Sequence, residues 1–107
     1  MGKKSKQKVK AFFTKQEQVI TLAELCRGCA LPAEQVVSMI EYGIVEPLQP
    51  ARDSRRWQFG VDCVSRLQKA TRLQHDLDVN LAGAALALDL LDEVKTLRQM
   101  VIALRRV

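Results

Sequence analysis

From Thr21 onward the apolar residues recur at helical spacing, interrupted at a few well-marked places. Leu22, Leu25 and Cys26 form a short stripe, and Thr21 with Glu24 three residues later has the spacing of a capping box. This first helix is expected to close near Gly28. A second start follows at Leu31-Pro32, where proline suits a first helical turn and Glu34 complements the helix dipole. Val36, Val37, Met39 and Ile40 carry that helix to Tyr42-Gly43, where glycine can adopt a left-handed closing conformation. Two short helices joined by a tight turn predict a helix-turn-helix.

The pattern changes over residues 44–60. Ile44, Val45, Trp57 and Phe59 are strand-like, while Pro47, Pro50, Asp53 and Ser54 break the run. The expectation is a small two-stranded wing within this stretch, with Trp57 and Phe59 on one face at period two. Asp62 is expected to cap a third helix, whose Val64, Leu67, Ala70, Leu73 and Leu77 fall three and four residues apart. Asp78 and Asn80 mark a break. From Leu81 to Val107 only Gly83 interrupts a long final helix, in which Ala87, Leu90, Val94, Leu97, Val101 and Leu104 form a heptad seam. Such a helix is roughly 40 Å long, more than a small domain can cover. Self-association is therefore expected through Leu90, Val94, Leu97, Val101 and Leu104.

The fold class that follows is mainly α: a winged helix-turn-helix with a small two-stranded wing and a long C-terminal helix. Its divisions are a basic flexible arm over 1–18, a winged domain over 19–78, and the helix over 79–107. The charge is distributed in the same way. The chain of 107 residues carries a net +5, but Lys3, Lys4, Lys6, Lys8, Lys10 and Lys15 stand in the first fifteen residues without an acid. The rest holds eleven basic and twelve acidic side chains, a net of −1. A nucleic-acid reader usually carries its positive charge on the folded surface facing the phosphates. No apolar run is long enough for a membrane span, and no apolar leader follows the basic N-terminus. Three cysteines do not make a disulfide framework, so a reducing cytoplasm is the expected compartment.

Ile20-Thr21-Leu22-Ala23-Glu24-Leu25, then Tyr42-Gly43-Ile44-Val45-Glu46-Pro47, then Arg56-Trp57-Gln58-Phe59 resemble the landmarks of the MerR-like winged-helix family. The stretch Arg72 to Val94, RLQHDLDVNLAGAALALDLLDEV, together with GIVEP and WQF, is similar to the CbpM chaperone-modulator family within it. This second resemblance covers about residues 20–100. It implies a cytoplasmic regulator that binds the J-domain of CbpA, a DnaJ-like co-chaperone. The resemblance further implies that such binding would inhibit work with the Hsp70 partner DnaK and could also affect the co-chaperone's association with DNA. The alternative is a MerR-like DNA-binding transcription regulator. Those regulators typically carry an arginine followed by aromatics in the second helix, and here the corresponding positions are Val37 and Ser38. No lysine or arginine occurs between Cys29 and Arg52, and Glu34 and Glu41 would repel phosphate. Nucleic acid is thus expected to be at most a weak partner.

Cys26 and Cys29 have redox or zinc spacing, but they read better as small hydrophobes, because Cys63 and His75 lie about 18 Å apart along one helix. No cofactor or metal is expected. His75 has no neighbouring nucleophile, and the chain is read as a non-enzyme. Arg52, Arg55 and Arg56 are the one basic cluster of the body, a possible nucleic-acid contact at a wing tip. Asp89, Asp92 and Glu93 group on one side of the last helix, with Asp76 and Asp78 just before it. J-domains present a positively charged helix to Hsp70, so these acids are the expected partner-binding residues, with Leu88 and Leu91 as apolar anchors.

Overall fold

The computed structural model describes residues 18–106, so the basic arm read over 1–18 lies outside the described residues except for Gln18. The order of elements is β1 (Val19–Thr21), α1 (Leu22–Cys29), α2 (Ala33–Glu41), a short 3-10 turn (Ser54–Arg56), β2 (Gln58–Gly60), α3 (Asp62–Leu77) and α4 (Leu81–Arg105).

The capping box expected at Thr21 is present in both directions. The Thr21 hydroxyl accepts from the Glu24 amide at 3.1 Å, and the Glu24 carboxylate accepts from the Thr21 amide at 2.8 Å. The helix runs one residue past Gly28 and ends on Ala30, a non-glycine held at φ 57°. The closure is stabilised by the Leu31 amide, which donates back to the Cys26 carbonyl at 3.1 Å, the six-to-one bond of a Schellman closure. Gly28 serves packing instead: a Cβ there would stand 3.1 Å from Val64 on α3. At the end of α2, Gly43 does take the left-handed conformation, at φ 77°.

The two-stranded antiparallel sheet is assembled differently from the wing expected within 44–60. β2 pairs with β1, in the register Val19 with Gly60, Ile20 with Phe59 and Thr21 with Gln58. Ile44 and Val45 do not form a strand; they drop into the core directly after the Gly43 turn, while the Leu48 amide makes a single bond to the Gln58 carbonyl. Pro47 has no amide to offer a ladder, which limits pairing along this edge. Trp57 and Phe59 do meet, edge to face with ring centroids 6.2 Å apart, and the Trp57 indole donates to the Ala51 carbonyl at 2.9 Å.

A single core joins the four helices and the sheet. Leu25, Val36, Met39, Ile44, Phe59, Leu67 and Ala70 are buried in it, and so are Ala84 and Leu88 from the first half of α4. Asp62 opens α3 without a side-chain capping bond, contrary to the expected cap, since Val61 takes the position before it in a helical conformation. Its carboxylate still lies in the first turn, where the helix dipole favours it. The break before α4 is built by Asp78 at φ 55° and by the Asn80 side chain, which accepts from the Gly83 amide at 2.8 Å.

Candidate protein-binding surface

α3 and α4 are antiparallel neighbours with apolar stripes facing one another, and the pairing leaves a groove between them. Leu73, Leu77, Leu88 and Leu91 supply its apolar surface, Lys69, Arg72 and Asp76 stand at its edges, and it encloses about 260 Å³. Three of the sequence-predicted partner residues, Asp76, Leu88 and Leu91, are thereby brought together. Leu88 requires a correction. At 3% exposure it is a core side chain that reaches only the bottom of the groove, so it cannot serve as a free anchor. Leu91 and Leu77, 56% and 61% exposed, are the leucines of the groove that solvent reaches.

Asp89 and Asp92 lie one helical turn apart on α4, and both are engaged by a residue that the sequence reading did not select. Arg66 of α3 donates to Asp92 at 2.8 Å and to Asp89 at 3.2 Å, and its Nε donates to the main-chain carbonyl of Ile44. The guanidinium fork suits this task, because it offers several donors in one plane and keeps its charge when partly desolvated. The arginine side chain is 25% exposed against 71% and 63% for the two acids. The carboxylates therefore face outward with one shared cation beneath them, and the group of three carries a net single negative charge. Glu93 is exposed on α4 and has no ion pair among the described residues. Asp76 lies 3.2 Å from the His75 ring, and Asp78 is exposed at the turn. No local sequence signal marks Arg66, since its partners are 23 and 26 positions away.

Beyond the groove, Leu90, Val94, Leu97, Val101 and Leu104 are all exposed, as are Leu86, Met100 and Ile102. Charge is segregated along the same helix. Its acids Asp89, Asp92 and Glu93 precede every one of its bases, Lys95, Arg98 and Arg105.

The helix-turn-helix contrasts with this surface. α2 exposes Glu34, Gln35 and Glu41 and carries no cation. In the wing-tip cluster, Arg55 is bound by both oxygens of Asp53 at 3.1 and 3.0 Å, and these bonds hold the Asp53 carboxyl below its usual range. Arg52 and Arg56 are exposed and make no ion pair among the described residues.

Cys26, Cys29 and Cys63 are free thiols. Cys29 donates to the Leu25 carbonyl at 3.1 Å, and burial raises its pKa, with Cys26 adding to the effect. Burial, with Asp62 contributing, pushes the Cys63 thiol up to about 11. Raised values disfavour the thiolate on which redox and metal chemistry depend. Among the described residues no group of three or more His, Cys, Asp or Glu is placed to hold a metal ion, and no helix is long and apolar enough to cross a membrane.

Comparison with known proteins places this architecture. Residues 20–106 match the family model for MerR HTH family regulatory proteins. The chaperone modulatory protein CbpM of Coxiella burnetii is 31% identical over 102 residues, covering 95% of this chain and 94% of that protein. The CbpM proteins of Pseudomonas entomophila and Pseudomonas putida are each 35% identical over 79 residues, covering 74% of this chain and 76% of theirs. These names describe a modulator and a regulator, neither of them a catalyst. With a MerR-type helix-turn-helix and CbpM relatives matching most of its length, the chain belongs to the CbpM family of chaperone modulatory proteins.

Proposed function

We propose that this chain is a cytoplasmic protein-binding modulator that engages the J-domain of a CbpA-like, DnaJ-type co-chaperone and inhibits its work with Hsp70. The observation that carries this reading is the α3/α4 surface, where an apolar groove adjoins outward-facing carboxylates. A positively charged helix is the kind of partner such a surface attracts, since complementary charge speeds encounter and sets orientation while apolar contact supplies most of the affinity. A transcription-regulator reading finds less support, because α2 offers no cation for phosphate and its acids would repel the duplex.

The distal half of α4 supports a second part of the proposal, self-association into a dimer. An antiparallel pairing of two α4 helices sets the acids of one against the bases of the other, whereas a parallel pairing opposes like charges. Leu90, Val94, Leu97, Val101 and Leu104 would lie in that seam.

The partner reading is tested by calorimetric titration of the full chain with a purified J-domain. Leu77→Ser with Leu91→Ser removes two exposed leucines, so folding should survive. If each leucine loses about 1.5 kcal/mol of contact, the affinity falls roughly a hundredfold. Glu93→Lys removes a carboxylate that Arg66 does not use and should weaken binding further. Affinity unchanged in both variants, with circular dichroism intact, would exclude this surface as the interface.

A further inference from the structure

The α3/α4 groove continues past Leu91 toward the start of α3. A second hollow of about 360 Å³ shares Lys69, Leu88 and Leu91 with the first, and reaches Ser65 and Asp62 on α3 and Lys95 on α4. Together the two follow α3 from Asp62 to Leu77, fifteen residue steps or about 22 Å. That matches the length of a four-turn helix, and the exposed Leu77 and Leu91 offer such a helix an apolar track.

Charge along this track differs from that of the carboxylates beside it. Lys69, Arg72 and Lys95 line it together with Leu91, all three exposed and none in an ion pair among the described residues. Lys69 and Arg72 stand one turn apart on α3, and like charges at that spacing work against a helix, so folding does not account for them. On the other side of Arg66 the balance reverses. A cleft of about 620 Å³ at Ile44 and Val45 holds Glu46, Asp62, Asp89 and Asp92 in its wall, with Arg66 as its one cation. Arg66 is thus the divide between an acidic edge and a groove whose unpaired charges are mainly basic. A helix that is basic all round would set its charges against Lys69 and Arg72, and like charges brought together at a contact that excludes water oppose binding.

We infer that the groove takes an amphipathic helix that carries a carboxylate of its own, seated among Lys69, Arg72 and Lys95. The apolar stripe of that helix covers Leu77 and Leu91, and its bases lie toward Asp89 and Asp92. The three cations then determine specificity: they select against a partner without the acid, and they fix the direction in which the helix lies. That the helix belongs to a J-domain rests on the co-chaperone reading above; the mixed charge of the groove does not.

Calorimetric titration of the full chain with a purified J-domain separates the two kinds of partner by sign. Lys69→Gln with Arg72→Gln should weaken binding about fivefold, and Lys69→Glu with Arg72→Glu about thirtyfold, if each cation meets a carboxylate with the strength of an exposed pair. A partner that presents only bases would bind both variants more tightly than the parent. Equal or tighter binding, with circular dichroism intact, therefore overturns the inference, while the Leu77 and Leu91 variant still reports on the co-chaperone reading. A parent chain that does not bind the J-domain overturns that reading, and the groove is then probed without it. Two alanine-based helical peptides of about four turns, each with the same leucine stripe, carry either Glu or Lys beside its centre. By fluorescence anisotropy the parent chain should prefer the Glu peptide several-fold, and the Lys69→Gln, Arg72→Gln variant should lose that preference. Equal affinity, preference for the Lys peptide, or no binding of either overturns the inference.

Discussion

Replacing Arg66 by methionine isolates what the polar clamp contributes. Methionine retains much of the apolar stem, so the change removes chiefly the guanidinium and its three partners: the Ile44 carbonyl, Asp89 and Asp92. The bond to the main-chain carbonyl is worth about 1 kcal/mol net, and the open cleft beside it lets water replace the lost donor, which holds the cost near that value. The two carboxylates are largely exposed, so each pair adds only about 0.2–1 kcal/mol after screening. The expected loss is about 2 kcal/mol, or a fall in Tm of roughly 8–16 °C for a domain of this size. Arg66→Lys keeps the charge but not the planar fork and should fall between the two. Urea denaturation followed by circular dichroism measures these differences, and a double-mutant cycle with Asp92→Asn isolates the pair. A stability within about 0.3 kcal/mol of the parent for Arg66→Met, or no coupling to Asp92, would refute the clamp. Reversing the charge of Asp89 or Asp92 perturbs Arg66 as well as any partner, whereas Glu93→Lys leaves the clamp untouched.

Three further outcomes follow from the fold and its surface. Thr21→Ala removes the side-chain half of the capping box and should cost about 1 kcal/mol in denaturant titration; a loss near zero would mean that the helix start is held by packing alone. The proposed self-association predicts that Leu97→Lys with Leu104→Lys shifts sedimentation from dimer to monomer, and a monomeric parent chain would contradict it. The Cys63 thiol, pushed up to about 11 when folded, ionises near its ordinary value of roughly 8.5 once unfolded. Between those values the unfolded chain has released a proton that the folded chain retains, so stability falls as pH rises from about 9 to 11. The Cys63→Ala variant should lose that part of the alkaline slope, measured by denaturation at several pH values; an identical slope would refute the assignment.

The elements that the sequence revealed are those whose determinants are local. Thr21 with Glu24, Gly43 after Tyr42, and Asn80 before Gly83 each act within three or four residues, and each does so in the structure. The strand pairing was not legible, because β1 lies some forty residues from β2 and its three residues, Val19 to Thr21, are too few for a period to show. Ile44 and Val45 look like strand residues for a related reason: a β-branched pair suits a buried turn as well as a sheet. At the candidate surface, the spacing of Asp89, Asp92 and Leu91 on one helix was legible in the sequence. Leu88 was misjudged because helical spacing gives the angle around α4 but not the depth to which α3 covers it. Arg66 was missed because its role exists only once α3 and α4 are side by side.

α4 is one uninterrupted helix with two different kinds of support. Its first turns are fastened by Ala84 and Leu88, while every residue from Asp89 to Arg106 is exposed. A segment of that length is only marginally helical in water by itself, since its hydrogen bonds barely offset the cost of ordering the backbone. Amide protection should therefore decline along the helix in dilute solution, and under the proposed self-association it should become uniform as the chain concentration rises. The order of this half of the helix is then a property of the population rather than of a single molecule. In a cell, chains made in excess of whatever covers that surface would present a fraying apolar end to proteases, so the covered form would outlast the uncovered one.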